Sequence, residues 1–146
     1  MKSVLIAALV AAGLGGAAFA DPTGDALSAR ARACITSAAP DVAARSHELT
    51  DAVNFLINDL CSVEIQHANA YAHNKKVLEQ LQATAASSQL VGVSIDPATG
   101  ELTTPPGFEP SMNATTIMLN ALRGIADQTA DYRSLAAKAV LAAKSK

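Results

Sequence analysis

Glu64-Ile65-Gln66-His67 spells E-x-x-H inside a polar stretch, Ser62 to Lys76, that also carries His73. On an α-helix this spacing puts a carboxylate and an imidazole one turn apart on one face, the arrangement by which helical bundles hold metal ions. A di-iron site built this way takes two E-x-x-H motifs and two further glutamates. Here the motif occurs once, and the chain after Glu109 offers Asp127 and Asp131 but no Glu and no His. His73 lies six residues beyond His67, about 600° of helix rotation, so the two rings point to separate faces. A mononuclear zinc or copper site on Glu64 and His67, with Tyr71 or Asp131 added, is the weaker alternative, because zinc takes three or four placed ligands.

Other chemistry has less to start from. The chain has no G-x-S-x-G elbow, no Gly-rich phosphate loop and no C-x-x-C-H attachment site. His47 beside Glu48 falls in an expected turn, where a solvated or capping role is the ordinary one. Asn113-Ala114-Thr115 fits a glycosylation acceptor, of use only in a eukaryotic secretory pathway. The residues therefore point to a non-enzymatic protein with no cofactor.

The elements around these residues are helical. From Val42, alternate steps of three and four reach Leu49, Val53, Leu56, Leu60, Val63, His67, Ala70, Asn74, Val77, Leu81 and Thr84, a heptad-like stripe without Gly or Pro. It predicts one long amphipathic, coiled-coil-like helix over about 42–88, a rod of roughly 60–70 Å. Leu27, Ala31, Cys34 and Ile35 align on an earlier helix, about 25–38, although the same residues also permit a strand-like alternation. Val91, Val93 and Ile95 alternate before Asp96-Pro97-Ala98-Thr99-Gly100, which predicts a β-hairpin over about 90–104. A stripe of Met118, Leu122, Ile125, Thr129, Tyr132, Ala136 and Ala139 predicts a last helix over about 112–143.

If the two long helices fold antiparallel about the hairpin, His67 and Asn74 come opposite Thr129 and Tyr132. These four would form a polar core layer that fixes register in an Ala- and Leu-rich interface. This structural reading is preferred over the metal.

Cys34 and Cys61 are expected to form a disulfide. If both lie on helices, the chain must fold back midway between them, near residues 47–48. Ser46 to Thr50 supplies one candidate turn, with Ser46 or Thr50 as cap. Ala39-Pro40-Asp41 is the rival, and a turn there would leave the sulfurs about 20 Å apart along the axis.

The start of the chain says where it goes. Met1-Lys2-Ser3, the uncharged run Val4 to Gly16 and Ala18-Phe19-Ala20 form a signal peptide, residues 1–20, with cleavage after Ala20. Residues 21–146 then make one exported domain, periplasmic or secreted, with no membrane span. Its formal charge moves from −2 to −3 with loss of Lys2, and no concentrated basic face is present to bind nucleic acid. The expected protein is mainly α. It is an elongated helical hairpin or three-helix bundle with one long central helix and a small hairpin inserted between the long helices. Its expected role is as an interaction, assembly or chaperone-like module, meeting a protein partner or itself through the long helices or the hairpin edge.

Overall fold

The computed structural model describes residues 21–83, 92–109 and 125–145. Helix α1 spans Pro22–Arg45 and α2 spans Leu49–Phe55. A π-helical segment, Leu56–Leu60, follows, and α3 covers Ser62–Ala83. Strands β1, Ser94–Ile95, and β2, Leu102–Thr103, form the hairpin, and α4 spans Ile125–Lys144. The molecule is a helical bundle with a small antiparallel sheet between its long helices. The signal-peptide residues 1–20, the expected end of the long helix at 84–88 and the expected start of the last helix at 112–124 lie outside the described residues.

Helix α1 starts where local chemistry dictates. Asp21 is the N-cap, its carboxylate accepting the Gly24 amide at 3.1 Å, and Pro22 takes the first helical position. Leu27, Ala31, Ile35, Ala39 and Val42 are buried at helical spacing, so the strand-like alternation is set aside. The helix runs through Pro40, whose ring is exposed, and ends at Ser46 in extended backbone. The turn is therefore at residues 46–48, midway between the cysteines, and not at Pro40.

That turn corrects the expected long helix. Val42 to Arg45 belong to α1, and the second helical course starts only at Leu49. Its N-cap is Glu48, with no side-chain capping bond, so neither Ser46 nor Thr50 caps it. The carbonyls of Ser46 and His47 are instead taken by the Lys144 ammonium at 2.8 and 2.9 Å. Positive charge from the last helix thus closes the C-terminal end of α1, where carbonyls lack intrahelical partners.

The second course is not one regular helix either. At Leu56–Leu60 it widens, and the Cys61 amide bonds five residues back to the Leu56 carbonyl at 2.9 Å. One residue has been accommodated in the helix, so the apolar stripe beyond it slips. Leu60 and Val63, expected on the buried stripe, are 48% and 55% exposed. Cys61, Ile65 and Ala68 take the inner positions instead, and the expected register returns at Val77 and Leu81. The expected long central helix is present as one course over Leu49–Ala83, starting later than expected and widened at the π segment, and it is not a regular coiled-coil rod.

The reason is covalent. Cys61 is tied to Cys34 with the Cα atoms 5.8 Å apart and the sulfurs 2.01 Å apart, and its residue is wholly buried against α1. A regular helix with Leu60 on the core stripe would turn Cys61 about 100° from that direction. The π segment supplies the rotation. The core then runs from Leu27, Ile35 and Val42 on α1 through Val53, Leu56 and Ile57 to Tyr132, Ala136 and Val140 on α4. Alanines at 31, 52 and 136 allow the helices to approach closely.

Candidate functional site

Among the described residues, two of the surfaces gather polar or large apolar groups that could act. The first lies on α3 at residues 67–75, the polar stretch where the sequence gathers its histidines. The hairpin docks here. Its turn is built as the residues demand, with the Gly100 amide donating to the Asp96 carbonyl at 2.8 Å and the Ala98 amide to the Asp96 carboxylate at 2.7 Å. Gly100 sits at φ +72°, and a Cβ there would collide with the His67 carbonyl oxygen and lie 2.5 Å from the Tyr71 nitrogen. The turn therefore touches the α3 backbone, which only glycine permits. Asn74 fixes it by donating its amide to the Gly100 carbonyl at 2.8 Å.

On the same helix, Tyr71 donates its hydroxyl to Asp21 at 2.8 Å, and Lys75 reaches the other carboxylate oxygen at 2.7 Å. The start of α1 is thereby clasped to α3. The Lys75 hydrogen bond, with the Gly24 amide and the Tyr71 hydroxyl, holds the Asp21 carboxyl down at about 2. Partial burial, then the bond to Asp21, pushes the Tyr71 phenol up. The bond to Asp21 likewise raises Lys75. Around this clasp lies a cleft of about 370 Å³ reaching Asp25, Ser28 and Glu79.

Of the four residues expected to share one polar layer, Asn74 is committed to the hairpin and Tyr132 is packed in the apolar core. His67 and Thr129 are half-buried, and no hydrogen bond joins the four to one another among the described residues. His67 contributes its main-chain carbonyl to the hairpin seat. Glu64 is half-buried one turn before it. Among the described residues, no three His, Cys, Asp or Glu side chains come close enough to hold a metal ion. No helix there is long and apolar enough to cross a membrane.

The second surface follows from the π segment. Residues five apart on a regular helix sit about 140° from each other. The wider π turn brings Phe55 and Leu60 onto one side, where both border a groove completed by Ala38, Asp41, Val42, Arg45 and Ser46 of α1 and its turn. The groove holds about 350 Å³, and its two large apolar walls are 47% and 48% exposed. The disulfide adjoins it at Leu60, with Cys34 Sγ 3.8 Å from the Leu60 carbonyl.

Neither surface is legible as such in the sequence. The clasp leaves a faint mark, since Asp21-Pro22 reads as a helix start and Tyr71 and Lys75 are four apart on one face. The groove leaves none, because periodicity places Leu60 inside. No protein-family model matches the chain, and neither a curated protein nor a solved structure is found to match it.

Proposed function

We propose that this chain is an exported, disulfide-stapled helical module that acts by contact with protein and not by catalysis. What supports this reading is the groove beside the disulfide. Phe55 and Leu60 stand half out of the surface in a protein with few aromatic side chains. Isolated exposed apolar residues are ordinary, but two bordering one groove with an apolar floor are the mark of a contact surface. The polar cleft on α3 supports the same reading, because its functional groups are used internally to hold the hairpin and the start of α1.

Export is supported by the signal-like start and by a disulfide, a bond favoured in oxidising compartments. Mass spectrometry of the exported protein should give Asp21 as its first residue, and a chain beginning at Met1 would overturn export by this route. A photo-crosslinking side chain at position 55 in cells that make the protein tests the contact surface. Protein adducts are expected there and not at exposed Asp51 on the same helix. Their absence at 55 overturns the reading.

A further inference from the structure

The groove between α1 and the π segment contains both halves of a self-complementary contact. Phe55 projects from one wall, and Ala38 and Val42 leave an apolar hollow beside it. On the α1 lip stand Asp41 and Arg45, exposed, one turn apart and of opposite sign. Neither is in an ion pair: among the described residues the one ion pair is Lys75 with Asp21.

We propose that the groove is filled by a second copy of this chain, docked about a two-fold axis. This rests on the contact-module reading above and names its partner. In a two-fold contact each patch meets its own image, so a residue i that touches j is answered by j touching i. Two α1 helices crossing antiparallel, with the axis midway between Asp41 and Arg45 on this lip, bring Asp41 of each copy to Arg45 of the other. One charge pattern then makes two complementary pairs, flanking Phe55 of each copy in the hollow of its neighbour. A partner of different sequence would have to present a base and an acid in the matching order, whereas a copy does so by symmetry. Opposed charges at the lip set register and suppress wrong partners.

The test uses the oxidised protein recovered from the compartment to which it is exported. Light scattering and sedimentation equilibrium between about 1 and 200 µM should show a monomer–dimer equilibrium, since such assembly depends on protomer concentration. Phe55→Asp should leave the far-UV circular dichroism unchanged and shift the protein to monomer. Asp41→Arg places like charges together and should weaken the dimer about tenfold or more. The double exchange Asp41→Arg with Arg45→Asp restores opposite charges only if copies meet each other, and should recover the wild-type constant to within about threefold. A wild-type protein that stays monomeric throughout, or a double exchange as weak as the single one, overturns the proposal. Should Phe55→Asp lose its fold, the charge exchange alone decides. A monomer whose position 55 still crosslinks to a different protein removes self-association and leaves the contact module standing. A monomer without adducts removes both.

Discussion

Tyr71 and Asp21, fifty residues apart in sequence, share a hydrogen bond of 2.8 Å that ties the first turn of α1 to the middle of α3. The same carboxylate accepts from Lys75 and from the Gly24 amide, so one side chain both caps a helix and joins two.

This clasp makes stability depend on pH in a definite direction. The Asp21 carboxyl ionises at about 2 in the fold, against an ordinary 3.8. Its contribution is complete above the unfolded value and is lost as the pH falls through about 2. Discounted for its partial exposure, it amounts to about 1 kcal/mol. Tyr71 and Lys75 shift the opposite way, so their share is present at neutral pH and lost on deprotonation in strong alkali. Thermal melts of the wild type should lose stability between pH 4 and pH 2, and Asp21→Asn should flatten that slope. Tyr71→Phe should cost about 1 kcal/mol in the wild type and much less in an Asp21→Ala background.

Gly100 tests the docking of the hairpin. An alanine there combines a left-handed backbone with a collision against the α3 main chain, for an expected loss of about 2–4 kcal/mol. Gly107 has a similar φ of +79° but nothing within 4 Å of its would-be Cβ, so Gly107→Ala should lose only about 1–2 kcal/mol. Hydrogen exchange at Asp96 and Glu101 should accelerate in Gly100→Ala and not in Gly107→Ala. Equal effects of the two would mean that the close approach to His67 and Tyr71 does not matter.

The π segment makes a prediction opposite to that of the periodicity. Leu60→Ala, at a half-exposed position, should change stability by less than about 0.5 kcal/mol, whereas buried Ile65→Ala should lose about 2–4 kcal/mol. Denaturant unfolding of the two variants checks it. A regular helix with Leu60 on the buried stripe would raise the cost at 60 to core values.

Replacing both Cys34 and Cys61 by Ser should lower stability by about 3.5 kcal/mol, the chain-entropy value for a loop with a sequence separation of 27. Because Cys61 is the residue that the π segment turns inward, the same variant should also alter crosslinking from position 55. Unchanged adducts would show that the groove stands without the disulfide.

The turn between α1 and α2 can be weakened from a distance. Lys144→Met removes the cation that accepts no role in the core but closes the carbonyls of Ser46 and His47. A loss of about 1 kcal/mol is expected in melts, with faster hydrogen exchange in the last turn of α1. No change at either place would mean that water serves those carbonyls as well.

Much of the architecture follows from local rules. Helix-forming alanines, apolar residues at three- and four-residue spacing and the Asp96–Gly100 turn each act over a few neighbouring residues, so they determine the helices and the hairpin without reference to the rest of the chain. The two cysteines call for a fold-back between them but leave Pro40 and residues 46–50 as rival turns, and the packed chain makes it at 46–48. What periodicity could not reach was set by contacts distant in sequence. The bond from Cys34 turns Cys61 inward and puts Leu60 outside, and Asp21 draws Tyr71 and Lys75 to the start of α1. Gly100 claims the backbone at His67 and the amide of Asn74, residues that a pairing of the two long helices had set opposite Thr129 and Tyr132. A helical pattern specifies which side of a helix is apolar, but the neighbour that side meets, and the single residue by which it slips, belong to the packed chain.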